Sequence, residues 1–370
     1  MTPRRVPVRL AEDAYDVLVQ PSAAPLLARW LRRDARAWIV ITDRRVHGRV
    51  WRRMAQNLRD AGVQPPDPVV IEGGESAKTL RTWTNVQQEL LRRGLDRSAC
   101  VVALGGGVVT DLAGFVAATY LRGIDWVAVP TSLLGMVDAA LGGKVGANLL
   151  RTKNAVGAFH HPRAVLVGTD VLATLPARER RSGLGEVVKY AMIADRALFR
   201  ELEKGRVDGV GRDAESDARL VARCCRIKAR FVAADAHEHG VRAALNFGHT
   251  LGHALEGDGR HGLTHGEAVG LGMLAACALA EELGVAREPQ VERLRALLRR
   301  LGLPVRAPQR PPVSRLRQAW RRDKKARAGE ARFVLTPRIG SVSLGHVVDE
   351  GSIVAALETV LPPRTKRSAG

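Results

Sequence analysis

The chain has no run of 18 or more uncharged apolar residues, so no membrane-spanning helix is expected. Its first residues, MTPRRVPVRLAEDAYD, hold no apolar core ahead of a small-residue cleavage site, so a secretory signal is not expected and a cytoplasmic address is the default. Cysteine is scarce. Cys100, Cys224, Cys225 and Cys277 follow no repeating spacing, and an adjacent pair is a poor start for a disulfide framework, so all four read as reduced. There is no internal repeat. Lysine is also scarce, supplying only nine of the 58 basic residues. The remaining arginines are spread through every segment instead of forming one stripe. A net charge of +20 therefore argues less for nucleic acid than for an anionic small-molecule substrate.

What is present is ordinary globular material: 370 residues, 46 % hydrophobic and 26 % charged, with a mean hydropathy of −0.09. At roughly 100 to 200 residues per domain, that length suggests two domains. The first half alternates amphipathic stretches with five short apolar runs: WIVITD (38–43), PVVIEGG (68–74), CVVALGGG (100–107), WVAVPT (126–131) and AVLVG (164–168). Apolar, β-branched runs separated by helical patterns predict buried parallel strands in a doubly wound α/β domain. Strand signals stop after Leu175-Pro176, and 182–305 reads as helical apart from polar turns near 235–240 and 257–262. A proline-rich basic stretch spans Pro304 to Pro312, 332–344 suits a small hairpin, and a last helix is expected near 351–361. The expected organisation is an α/β domain over 1–178, a mostly α-helical domain over 179–362 and an unstructured basic tail over 363–370.

Five segments carry chemistry. ALGGGVVTDLAGF (103–115) follows a strand and opens a helix, a setting in which glycines let backbone amides approach a pyrophosphate. VPTSLLGMVDAALGGKVGANLLRTKNAVGAF (129–159) sets Asp138, Lys144, Lys153 and Asn154 among glycines, and ammonium groups held by glycine-rich backbone suit phosphate. In SGLGEVVKYAMI (182–193), Glu186 and Lys189 share a helix face, either as a surface pair or in a buried functional placement. In RLVARCCRIKARFV (219–232), Lys228 shares the stripe of Leu220, Cys224, Ile227 and Phe231, where a lysine either snorkels or reaches into a site. RAALNFGHTLGHALEGDGRHGLTHGEAVGLGM (242–273) holds His249, His253, His261 and His265, four of the ten histidines. Two imidazoles and a carboxylate leave a coordination position open, as a catalytic zinc requires. Spacing alone leaves the pairs His249/His253 and His249/His265 both feasible. Asp323, Lys324 and Lys325, before the last strand signals, read on their own as a charged surface turn.

Together these segments resemble the 3-dehydroquinate synthase family of NAD-dependent sugar phosphate cyclases. The resemblance runs in order from ITD at 41–43 through GGESAK, GGGVVTDLAGF, YLRG, VDAALGGK, KN, TLPARE, GEVVKY, NFGHTLGHALE and HGEAV to DKK. It implies a dinucleotide-binding α/β domain, a mostly helical domain, an active site in a cleft between them, and a homodimer. The implied cofactors are NAD+ and Zn2+, with Co2+ as a substitute. Glu186, His249 and His265 match the family's metal ligands, and His253 a catalytic or phosphate-side residue. Arg122, Lys144, Asn154 and one of Lys324/Lys325, taken as Lys325, match phosphate contacts, Arg122 reaching across from the partner subunit. Lys189, Lys228, Arg242, Asn246 and Asp138 match groups that hold the substrate carboxylate and hydroxyls. Asp43, Glu75, Lys78, Gly106, Gly107, Asp111, Thr131, Ser132, Lys153, Thr174 and Glu179 match the nucleotide side. The chain departs from the family at Arg45, at Thr131-Ser132 and at LRTKN.

The implied activity converts 3-deoxy-D-arabino-heptulosonate 7-phosphate to 3-dehydroquinate and phosphate, by transient oxidation, β-elimination, re-reduction, ring opening and aldol closure. The rival cyclases make 2-epi-5-epi-valiolone, 2-deoxy-scyllo-inosose or an amino analogue. Arg242 and Asn246 beside Lys228 favour a carboxylate-bearing substrate. The iron-type alcohol and glycerol dehydrogenases share the architecture, but they tend to have Asp-x-Ala-Lys where this chain has Asp111-Leu-Ala-Gly114. Neither nucleic acid nor a membrane is an expected partner.

Overall fold

A computed structural model describes residues 2–10, 14–34, 37–150, 152–207, 209–256, 262–312, 314, 316–317 and 332–363. Its chain divides into two compact units, Met1–Gly183 with Gly209–His237, and Leu184–Asp208 with Glu238–Gly370.

The first unit is built on a seven-stranded sheet of β1 (Arg4–Arg9), β2 (Ala14–Gln20), β3 (Ala37–Asp43), β4 (Val69–Ile71), β5 (Ala99–Gly105), β6 (Asp125–Pro130) and β9 (Ala164–Gly168). Their spatial order is β1-β2-β9-β6-β5-β3-β4. Only β1 runs antiparallel to its neighbour; β2, β9, β6, β5, β3 and β4 pair in parallel. The five predicted apolar runs become β3, β4, β5, β6 and β9. In β5 and β9 every residue is buried, as expected of strands covered on both faces. β1 alternates buried and open positions and carries Pro7, which only an edge strand tolerates well. The helix Ala214–Ala234 also belongs to this unit and packs on β1 and β2. An ion pair from Arg4 to Glu215, in its first turn, joins it to β1.

Along the chain, β4 pairs on one side of β3 and β5 on the other, after which β6 and β9 continue outward from β5. The winding therefore reverses between β3 and β5. The carboxyl ends of those strands, Asp43 and Gly105, flank the switch point where open α/β sheets bind ligands. Among the described residues of this unit, two hairpins lie outside the five predicted runs: β1–β2, and β7 (Lys144–Leu149) with β8 (Thr152–Phe159).

The second unit is mostly helical, with the helices Arg196–Glu203, His249–Glu256, His265–Glu282, Val291–Arg300 and Glu350–Glu358. The predicted hairpin is present as β10 (Arg332–Arg338) and β11 (Ser341–Val347). His265–Glu282 is buried over nearly all its length and is apolar on every side, as a central helix must be.

Candidate functional site

Glycines set the geometry of a cluster of possible metal ligands in the second unit. A Cβ on Gly272 would lie 1.9 Å from the Gly248 carbonyl oxygen, and one on Gly252 would lie 2.8 Å from that of Ala268. The helices His249–Glu256 and His265–Glu282 thus cross at backbone contact. A Cβ on Gly185 would likewise lie 2.4 Å from the Gly266 carbonyl oxygen. Each of Glu186, His249 and His265 follows or precedes a glycine at such a crossing, so the three side chains emerge where backbones meet. A capping box fixes the start of the second helix: Thr264 Oγ1 accepts from Glu267 N, and Glu267 Oε2 accepts from Thr264 N.

Glu186 Oε1 lies 3.4 Å from His249 Nε2 and 3.2 Å from His265 Nε2. Two donors each bound to a tetrahedral zinc ion at its usual bond length are about 3.4 Å apart, so these spacings fit one ion. The outer nitrogens are held as a metal site needs. His249 Nδ1 donates to the Phe247 carbonyl at 3.2 Å, and His265 Nδ1 faces Glu256 Oε2 at 3.6 Å. Glu186 and Lys189 form a buried ion pair, so the reading of this pair as a surface contact is excluded. Burial pushes the Glu186 carboxyl pKa up, but the Lys189 ammonium and the two imidazoles outweigh it and hold the group well below the carboxylate range. His253 is exposed, its ring 5.4 Å from that of His249 and 6.0 Å from that of His265. Together with Glu256 and His265 it forms a second triad of possible ligands. Geometry thus favours His249/His265 as the pair that shares Glu186.

In the first unit, Gly106 caps the helix Gly107–Thr119 without a side-chain cap bond, and amides at a helix start with no side-chain cap suit an anion. A Cβ on Gly105 would meet Val109 at 2.5 Å, and one on Gly107 would meet Ala139 at 3.2 Å. Thr131 N donates to the Gly105 carbonyl at 2.9 Å, and Ser132 Oγ accepts from Gly135 N at 3.1 Å. A backbone cradle this tight at the switch point fits a dinucleotide pyrophosphate. At the end of β3, Asp43 Oδ1 accepts from Arg45 N and Val46 N.

Nearby residues pair with one another. Buried Lys78 donates to both Asp111 and Asn154. Burial pushes the Asp111 carboxyl pKa up, against the pull of the Lys78 ammonium. Asn154 adopts a left-handed φ of 53°, and its backbone N–H donates to Asn148 Oδ1 at 2.8 Å. Asn148 in turn donates to Glu75 Oε1 at 2.8 Å. Lys228 Nζ donates to Asp138 Oδ1 at 2.6 Å and to its carbonyl at 2.8 Å. Lys228 is buried, so it does not snorkel.

In the second unit, Arg242 is buried and Asn246 Nδ2 donates to Glu238 Oε1 at 2.5 Å. Arg122, Lys144, Lys153, Thr174 and Glu179 lie exposed on separate elements, and Thr174 Oγ1 donates to the Val171 carbonyl. His261, Lys324, Lys325 and the tail over 364–370 lie outside the described residues. Glu256 is among the partners absent from the sequence reading, as are Asn148 and Glu238. A signal for Glu256 existed: His249, His253 and Glu256, at i, i+4 and i+7, share one helix face.

Family models described as 3-dehydroquinate synthase N-terminal and C-terminal match residues 68–182 and 183–326. The chain is 44 % identical over 348 residues to a 3-dehydroquinate synthase of Pelobacter propionicus, covering 93 % of this chain and 96 % of that one. It is 39 % identical over 366 residues to that of a Synechococcus strain, covering 97 % and 99 %. Among solved structures, it resembles the 2-epi-5-epi-valiolone synthase of Streptomyces hygroscopicus subsp. jinggangensis with NAD+ and Zn2+ bound. That likeness has a TM-score of 0.87 at 33 % identity and covers 95 % of this chain and 98 % of the other.

Proposed function

The chain belongs to the 3-dehydroquinate synthase family, and from that premise we propose that it converts 3-deoxy-D-arabino-heptulosonate 7-phosphate to 3-dehydroquinate and phosphate, with NAD+ and a divalent metal as cofactors. The observation that carries the reading is the meeting of Glu186, His249 and His265 at the spacing of one metal ion's ligands. Those three would hold zinc, with cobalt as a substitute, and the glycine turn at 105–107 with Asp43, Glu75, Lys78, Asp111, Thr131, Ser132, Lys153, Thr174 and Glu179 would hold the nucleotide. When bound, NAD+ takes up and returns a hydride, and the metal lowers the pKa of a substrate hydroxyl that it coordinates.

The chain's own residues supply recognition and orientation. Lys144 and Arg122, with Lys325, neutralise the phosphate, and Asn154 hydrogen-bonds to it. Lys228, Arg242 and Asn246 bind the carboxylate end, while Lys189 and Asp138 hold hydroxyls. The Lys189 ammonium beside Glu186 keeps that carboxylate ionised as a ligand. His253, exposed beside the ligand imidazoles, accepts or delivers a proton. Gripping both ends of an opened sugar chain supplies the orientation that aldol closure requires. The enzyme works as a cytoplasmic homodimer, with Arg122 serving the partner's site.

The test is to incubate purified protein with NAD+, Zn2+ and the heptulosonate phosphate and to follow inorganic phosphate and dehydroquinate. Both products are expected in equal amounts. Release of phosphate from a sugar phosphate that lacks the carboxylate, with none from the heptulosonate, would transfer the assignment to a sister cyclase.

A further inference from the structure

Lys144 follows two consecutive glycines in left-handed backbone, Gly142 at φ 96° and Gly143 at φ 70°. A Gly-Gly step has more conformational freedom than any other pair, so a side chain presented from it is well placed only if the turn is held from outside. Here it is held from both directions. Gly142 N donates to the Tyr15 hydroxyl at 3.0 Å, in a buried hydrogen bond spanning 127 residues. The Gly143 carbonyl accepts from His160 N at 2.8 Å. The His161 ring occupies the space beside Gly143, where an added Cβ would lie 2.7 Å from it. Tyr15 and His161 stack on each other, with ring centroids 5.8 Å apart and planes inclined by 29°. His160 is itself anchored: its carbonyl accepts from Trp126 Nε1 at 3.2 Å, and its Nε2 donates to the Ile124 carbonyl at 2.9 Å.

We propose that Tyr15 and His161 are positioning residues for Lys144: the stacked pair clamps the Gly142–Gly143 turn and so fixes where the ammonium group is presented. Neither residue needs to touch substrate. Tyr15 comes from the N-terminal hairpin, which gives that hairpin a part in the site as well as in the sheet. The inference rests on the reading of Lys144 as a phosphate contact.

Tyr15→Phe keeps the ring and deletes the hydroxyl. Hydrogen exchange over 141–147 is expected to quicken about tenfold, the worth of one hydrogen bond, while β9 stays protected. The KM for the heptulosonate phosphate and the dissociation constant of inorganic phosphate are expected to rise about five- to tenfold, with kcat within about twofold. NAD+ affinity is expected to stay unchanged, and in a Lys144→Ala background Tyr15→Phe should add nothing to KM. His161→Ala, which removes the packing instead of the hydrogen bond, should quicken exchange in the same segment. Unchanged exchange over 141–147 in both variants overturns the proposal whatever Lys144 contacts. A Tyr15→Phe effect on KM that persists in full without Lys144 overturns it as well. Should Lys144→Ala by itself leave phosphate binding intact, the phosphate reading falls, and the exchange measurement still decides whether the pair holds the turn.

Discussion

Loading the metal site at neutral pH must remove a proton from His265. Burial pulls its imidazolium pKa down, but the carboxylates of Glu186 and Glu256 outweigh burial and raise it from 6.5 to about 10. His249 is held below its ordinary value by burial and by the Lys189 ammonium, and Glu186 is already ionised. The metal-free site therefore carries one proton in the way of an ion at pH 7, on His265. A gap of about three pH units costs about 4 kcal/mol, or a factor of about a thousand in apparent affinity. Apparent affinity should climb about tenfold per pH unit between pH 7 and 9. Calorimetric titration of Co2+ into metal-free protein, in buffers of different ionisation enthalpy, should show about one proton released per ion at pH 7. The same raised pKa stabilises the metal-free fold. That contribution is complete below about pH 6.5 and is lost as pH rises through about 10, so the metal-free Tm should fall across that window more than the loaded Tm. An affinity flat from pH 6.5 to 9, with no proton released, would refute the reasoning.

Three further outcomes follow from the geometry. His265→Ala should fold, bind no tight metal and turn over little substrate; a stoichiometric ion by elemental analysis, or normal activity, would count against the assigned ligands. Gly272→Ala places a Cβ 1.9 Å from the Gly248 carbonyl oxygen, so urea unfolding should register a loss of about 3 kcal/mol along with lost metal binding, and native-like stability would show that the helix crossing is not that tight. Lys78→Met leaves Asp111 without its buried cation and should cost about 3 kcal/mol; adding Asp111→Asn should recover about half of that, whereas strictly additive losses would mean the pair is not coupled.

The legibility of the fold differed from element to element for physical reasons. β5 and β9 are buried at every position, and a strand covered on both faces must be an unbroken apolar run. β8 is exposed at most positions, so its sequence, TKNAVGAF, carries no period-2 pattern, and the β7–β8 hairpin reads as a glycine-rich loop. β1 and β2 lie in an arginine-rich N-terminus whose alternation is short. The sequence pattern changes once, near 175–181, whereas the chain passes between the two compact units at 183–184, 208–209 and 237–238. The helix Ala214–Ala234 looks like its helical neighbours in sequence, and only the apolar faces of β1 and β2 show where it packs.

Local chemistry was written in the chain: which residues can bind metal or phosphate, which share a helix face, and where the backbone must be glycine. Those properties follow from side-chain identity and from periods of two to four residues. What only the tertiary structure decided was which of those groups meet. Helical spacing put His249 and His253 on one face, yet the carboxylate that meets His249 and His265 is that of Glu186, 79 residues from His265, because glycine crossings bring distant backbones into contact. Lys228 was ambiguous on its own helix until Asp138, 90 residues away, closed on it at 2.6 Å. Contacts of that range depend on how helices and strands pack, and packing leaves no periodic trace in the sequence.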